Sequence, residues 1–288
     1  MFNKSKHAAA AAAISAALLA APAQATVVLF NDFSNPSGLD LNGSAAVANT
    51  GDGSVLRLTP ALENQSGSAF SLTQINAATF STFFKFRITN AGGQLFDCNS
   101  TTGADGIVFA VQNVSSSVGG AGQGIGYAGI SPSVGVEFDT WCNGGNNDPS
   151  SNHIGIDVNG NVNHGAGAPF TLNVPTRFDD GNVWYAWIDY DGTNLEVRAN
   201  QTGLRPVLSM LTREFSGANG TQTLSQILGQ GNAYIDFTSG TGADWGNHDI
   251  LSWEYRDSFN PVNGVPAPLS AALLGLGLGL FAVRRRRG

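Results

Sequence analysis

Eight stretches of this chain alternate apolar and polar side chains with a period of two: residues 54–60, 79–89, 105–113, 133–141, 153–159, 182–190, 194–199 and 249–255. That period places successive side chains on opposite faces of an extended strand. Clusters of Gly, Asn, Asp and Pro separate the stretches as turns. Helical spacing is nearly absent from the same region; "TLSQILG" (223–229) is the one short segment that fits a helix. With 37 glycines and only 12% charged residues, the pattern predicts an all-β chain folded as an antiparallel β-sandwich.

The two ends read differently. Residues 1–25 carry a basic start (Lys4, Lys6, His7), an apolar run from Ala8 to Ala21 and then Ala23-Gln24-Ala25, the pattern of a secretory signal peptide. Residues 265–288 hold Pro266 and Pro268, an apolar run from Leu269 to Val283, and Arg284 to Arg287. The run is shorter than the roughly twenty residues of a spanning helix. It resembles the PEP-CTERM sorting signal of Gram-negative bacteria, with Ala267 where that signal usually has Glu. A simple C-terminal membrane anchor is the alternative. The expected organisation is therefore a signal peptide at 1–25, one domain at 26–264 and a sorting or transient membrane segment at 265–288. The expected location is the periplasm, cell surface or extracellular matrix of a Gram-negative cell.

Without its ends the chain keeps 8 of 14 basic residues against all 21 acidic ones, a net charge of −13. Such a domain repels nucleic acid and anionic membranes, while cations and neutral ligands remain open to it. The two cysteines, Cys98 and Cys142, would tend to pair in an oxidising compartment. The expectation is a bridge joining the loop before Asp105 to the loop after Trp141, with two free thiols as the alternative.

The stretch from Val136 to Asn159, "VEFDTWCNGGNNDPSSNHIGIDVN", carries the chemistry. Val134, Val136 and Phe138 would face a core, leaving Gly135, Glu137, Asp139 and Trp141 on the other side. On the returning strand His153, Gly155 and Asp157 share a face opposite Ile154, Ile156 and Val158. Pairing the two strands gathers Glu137, Asp139 and His153, and the loop adds Asn143 and Asp148. Two like charges about 4 Å apart cost roughly 1 kcal/mol in water and about 4 kcal/mol at an effective dielectric near 20. Such a cluster calls for cations. Glu137, Asp139, Asp148 and His153 suit a transition ion such as Mn²⁺. Asp139, Asp148, Asn143 and the carbonyl of Trp141 suit Ca²⁺, with both aspartates shared.

The run E-x-D-x-W-x-N-x4-D-P-S-x2-H-I-G-I-D, together with "LENQSGSAFSLTQI" (62–75), "TFSTFFKFRI" (79–88), "GADGIVFAVQN" (103–113) and "SGTGADWGNHDILSWEY" (239–255), resembles the legume-type (L-type) lectins, the family of concanavalin A and pea lectin. The resemblance implies a jelly-roll sandwich, one Ca²⁺ and one transition ion on the residues just named, and a glycan or extracellular polysaccharide as partner, without catalysis. It implies a sugar-binding role for Asp105, placed after a cis peptide bond, for the side-chain amide of Asn143 and for Trp141 as an aromatic platform. Gly242-Ala243-Asp244 falls in the loop that sets monosaccharide choice, and its length leans towards mannose or glucose. The family's sugar-contacting Gly falls within Gly122-Gln123-Gly124; an ungapped match puts Gln123 there, where a side chain could crowd the pocket or add a hydrogen bond. Homo-oligomers formed through the flat back sheet occur in this family.

Two other functions compete. Some glycoside hydrolases share this sandwich and carry E-x-D-x-x-E on a strand, but the third carboxylate would fall at Cys142. Retaining hydrolysis needs two carboxyls about 5–5.5 Å apart, and no second Glu stands nearby. A matrix protein that keeps the fold without binding sugar is the other reading.

Overall fold

The computed structural model describes residues 27–263, apart from 95, 96, 100, 101, 117–121, 166–168 and 219. The expectations for the signal peptide and the C-terminal sorting segment lie outside the described residues. Among those residues no helix is long and apolar enough to cross a membrane.

Two antiparallel sheets make up the described chain. One runs edge to edge through Leu211–Glu214, Asn194–Asn200, Trp184–Tyr190, Phe80–Gly93, Asp244–Arg256, Gly53–Thr59 and Ala46–Thr50, with Val27–Phe30 also paired to Asp244–Arg256. The other runs through Thr171–Asn173, His153–Val158, Ser133–Asp139, Gly106–Gln112, Asn232–Gly240, Ser66–Ser71 and Leu39–Gly43, with Ile75–Asn76 paired to Asn232–Gly240. Each of the eight alternating stretches falls on one of these strands to within two residues. The short helix spans Leu224–Leu228, and its first turn is closed by a reciprocal cap between Thr223 and Gln226, the arrangement that satisfies two otherwise orphaned backbone donors.

The sheets enclose an aromatic core. Phe84 packs edge-on against Phe138 and Phe237 at centroid distances of 5.8 and 4.9 Å, and Phe237 meets Trp253 at 5.0 Å. Each such pair adds about 0.5–1.5 kcal/mol beyond its buried area. Val134, Val136 and Phe138 enter this core together with Ile154 and Ile156, as the alternation requires. The strand Ser133–Asp139 is buried along its whole length, so its opposite face is covered as well. A segment around Ile125, Tyr127 and Ile130 caps part of that outer face by packing on Val108 and Ala110. The remainder is the polar cluster.

Candidate metal and ligand site

Register decides which side chains meet. His153 pairs with Asp139, Gly155 with Glu137 and Asp157 with Gly135. These residues therefore stand in two rows on the outer face of one hairpin. Glycine at 155 leaves the space they occupy: a Cβ there would collide with Glu137 Oε1 and come 2.9 Å from His164 Cε1. Glu137 is 1% exposed, Asp139 3%, His153 0% and Asp157 3%.

His153 Nε2 lies 3.1 Å from Glu137 Oε1 and 3.9 Å from Asp148 Oδ1. Its Nδ1 is 3.0 Å from the carbonyl of Ser150, which orients the ring. The loop between the two strands folds back by backbone donation to the acids: Trp141 N donates to Asp139 Oδ1 at 2.6 Å, and Asn143 N donates to Asp148 Oδ2 at 2.6 Å. The four residues predicted to hold the transition ion are thus brought together, with Asn143 and Trp141 beside them.

One member was not predicted. His164 Nε2 sits 2.8 Å from Glu137 Oε1 and 3.5 Å from Asp148 Oδ1, and its Nδ1 is 3.4 Å from Asp157 Oδ1. Its loop is tied to the loop of the acids: His164 N donates to Asn146 O at 2.9 Å, Asn163 Nδ2 donates to Gly145 O, and Asn147 Nδ2 donates to Asn163 Oδ1. Asp157, on the predicted face of its strand, is the residue that backs this histidine.

Electrostatics shows how crowded the cluster is. Burial, with the charges of Glu137 and Asp148, pushes Asp139 well above the usual carboxylate range. Burial lifts Asp148 to about 6 against the opposing pull of His153. Burial acts the same way on Glu137, but the two imidazoles beside it, His153 and His164, prevail and hold it at about 2. Burial would lower His164, yet Asp157 and Glu137 raise it to about 10. Several carboxylates and two imidazoles thus share a dry volume that lacks enough positive charge. Among the described residues, two sets offer three ligand atoms within 4.8 Å of one another: Glu137, His153 and His164, and Asp139, Asp148 and His153. This donor set fits divalent cations.

A second group adjoins the first. The Ala104–Asp105 peptide is cis, as the resemblance implies. Asp105 is held by its backbone, its N donating to Gly240 O and its O accepting from Thr140 N, both at 3.0 Å. Gly106 follows at φ +132°, and a Cβ there would collide with the Phe138 carbonyl, so only glycine lets the chain turn so close to the strand. Asp105 Oδ2 is buried without a hydrogen-bond partner, and so is Asn143 Oδ1. Buried polar atoms of this kind call for a partner, an ion, a water or a ligand. Burial, with the charges of Asp244 and Asp148, raises Asp105 to about 7.

Gly122–Gly124 form a single helical turn, with Gly122 N donating to Thr241 O. Gly124 is buried beneath it, while Gln123 is exposed and accepts a hydrogen bond from Asn143 Nδ2 at 3.3 Å. Trp141 is half-buried. Ala243 is exposed, and the buried Asp244 accepts from Gln94 N at 3.1 Å. Cys98 and Cys142 are joined by a disulfide, which ties the segment before Asp105 to the loop between Trp141 and Asn143. The position where a hydrolase would need its third acid is therefore a bridged sulfur.

The model of the legume lectin beta-barrel domain matches residues 30–252. An L-type lectin-domain containing receptor kinase, VIII.1 of Arabidopsis thaliana, is 30% identical over 230 residues, covering 78% of this chain and 29% of that protein. This chain thus spans about a third of the length of the curated relatives it matches. Among solved structures, the basic winged bean lectin with Tn-antigen is 27% identical with a TM-score of 0.61, covering 81% of this chain and 98% of that one. The acidic winged bean lectin complexed with methyl-α-D-galactose is 25% identical with a TM-score of 0.62, again covering 81% and 98%.

Proposed function

Because this chain belongs to the L-type lectin family, we propose that it is a non-catalytic carbohydrate-binding protein whose site is organised by one Ca²⁺ and one transition ion, Mn²⁺ or another. The observation that carries the reading is the pair of buried, unpartnered oxygens, Asp105 Oδ2 and Asn143 Oδ1, next to a charge-crowded donor cluster. Asp139, Asp148, Asn143 and the Trp141 carbonyl would hold Ca²⁺. Glu137, Asp139, Asp148 and His153 would hold the transition ion. Bound cations supply the positive charge that keeps the acids ionised and the loops fixed. With the cluster neutralised, Asp105 is free to act as a carboxylate acceptor for sugar hydroxyls. Asn143 donates from its amide, Trp141 offers a ring face, and the turn at Gly122–Gly124 and the loop at Ala243–Asp244 form the rim.

The specific form of the proposal is a mannose or glucose preference, supported by the length of the Gly242–Asp244 loop. A galactose-type preference is the competing specificity, since the two winged bean lectins were solved with Tn-antigen and methyl-α-D-galactose. Export to the periplasm, cell surface or extracellular matrix of a Gram-negative bacterium, with transient anchoring through residues 265–288, is the matching location. The Cys98–Cys142 bridge supports an oxidising compartment. Self-association through the sheet remote from the site belongs to the same proposal.

Asp105→Ala and Asn143→Ala test the site. Both should abolish capture on a glycan array while melting temperature and bound metal stay near wild type. Undiminished binding by both variants contradicts the assignment. A matrix protein without sugar binding is the second reading, and Gln123 favours it, because its Oε1 already occupies the amide of Asn143. A protein with both metals bound that ignores every glycan would support that reading.

A further inference from the structure

His164 is a nitrogen donor that the four-residue transition-ion set does not include. Its side chain is 4% exposed, and its Nε2 is buried with no hydrogen-bond partner. That atom lies 2.8 Å from Glu137 Oε1 without the geometry of a hydrogen bond to it. A buried imidazole nitrogen this close to a carboxylate and not bonded to it has the placement of two ligands converging on a third body. His153 Nε2 approaches the same oxygen at 3.1 Å from another direction, and the two rings stand at 88° to each other. Glu137, His153 and His164 form one of the two sets whose ligand atoms lie within 4.8 Å of one another.

The surroundings of His164 fit a metal ligand as well. The other ring nitrogen faces Asp157 Oδ1 at 3.4 Å, and metal-bound histidines commonly turn their second nitrogen to a carboxylate, which fixes tautomer and ring direction. The space for the ring exists because residue 155 is glycine, and the backbone of His164 is pinned to Asn146 O.

We propose that His164 is a direct ligand of the transition ion, so that this site is a two-histidine, carboxylate centre selecting Zn²⁺ and its late first-row neighbours over Mn²⁺. The proposal rests on the metal-organised reading of the cluster but not on sugar binding. Imidazole suits Zn²⁺, Cu²⁺ and Ni²⁺, whereas carboxylate and water suit Mn²⁺. Two histidines and a glutamate are also a recurrent zinc donor set. Each nitrogen that takes the place of a water oxygen shifts the preference in the same direction.

The test uses the purified chain, stripped of metal and reloaded with Ca²⁺. Pulsed EPR of one equivalent of Cu²⁺ counts coordinated imidazoles, and competition titration compares Zn²⁺ with Mn²⁺. The expected count is two in the wild type and one in His164→Ala. The Zn²⁺-over-Mn²⁺ ratio should fall about tenfold or more in that variant. The chain has four histidines; His248 is fully buried elsewhere, its Nδ1 2.7 Å from Thr59 Oγ1, and a His7→Ala background removes the remaining one. A single imidazole in the wild type, an unchanged metal ratio in His164→Ala, or no retained transition ion overturns the proposal. The wild-type count stands even where the variant folds poorly. Glycan capture, read in parallel, separates this result from the functional reading: two imidazoles without glycan binding defeats that reading and leaves this one intact, and glycan binding with one imidazole does the reverse.

Discussion

The strand Ser133–Asp139 has two faces, and both are buried. On one, Val134, Val136 and Phe138 meet the aromatic core. On the other, Glu137 and Asp139 meet His153, Asp148 and His164. The apolar face is complete within the chain, since burying each large side chain contributes about 1.5–3 kcal/mol and asks for nothing further. The polar face is equally dry but not self-sufficient, because its acids repel one another and Asp105 Oδ2 and Asn143 Oδ1 bond nothing. Burial alone does not distinguish a core from a site. What distinguishes them is whether the buried groups satisfy one another.

Paired substitutions separate the two faces. Asp139→Asn should weaken Ca²⁺ and transition-ion affinity by about a hundredfold and abolish glycan capture. Calorimetric metal titration checks this, and the stripped protein should keep or gain thermal stability because a crowded charge is gone. Phe138→Ala should instead lower stability by about 3–5 kcal/mol in metal-free and metal-loaded protein alike, measured by denaturant unfolding. Equal metal dependence of the two variants would erase the distinction between the faces.

The disulfide encloses Asp105, Glu137 and Asp139 in a single loop, with a sequence separation of 44. In the chain-entropy model, closing a loop of that size is worth about 4 kcal/mol. Unfolding with and without reductant should reveal a loss of that order, and metal affinity should fall with it.

The polar face also makes stability depend on pH. In metal-free protein Asp148 and Asp105 are raised to about 6 and about 7 from 3.8. A carboxyl whose folded pKa is raised costs stability as it ionises, so stability should decline between about pH 4 and 7. His164 is raised from 6.5 to about 10, so the stability it contributes is full below pH 6.5 and is lost as pH climbs towards 10. Both effects have one sign. Melting temperature of stripped protein should drop by about 5 °C or more from pH 5 to pH 8, and Ca²⁺ should flatten the slope. Glu137, held at about 2, acts the other way only below pH 4.5. Gln123→Gly should produce the smallest change, a few-fold gain in sugar affinity as Asn143 Nδ2 is released, with no change in metal binding.

Much of this was legible in the residues. The eight alternating stretches, the short helix near 223–229 and the gathering of Glu137, Asp139, Asp148 and His153 follow from local spacing, while the Cys98–Cys142 bridge was expected only from an oxidising compartment. Ser66–Ser71 did not stand out, because its small or polar residues are buried on both faces and alternation disappears; Asn232–Gly240 was also missed, although Ala233, Ile235 and Phe237 alternate there with Tyr234, Asp236 and Thr238. His164 was missed for a different reason. It lies in a loop, eleven residues past His153 in the sequence, and joins the cluster only through bonds between two Asn/Gly-rich loops. The available hint was Asp157, an acid on the polar face that pairs with Gly135 and meets no basic side chain in its own hairpin.

The most direct test of the central claim is a glycan array probed with the same preparation twice, once loaded with Ca²⁺ and a transition ion and once stripped by chelator. Specific capture by the loaded protein should vanish on stripping and return on reloading; equal capture in both states would contradict a metal-organised sugar site.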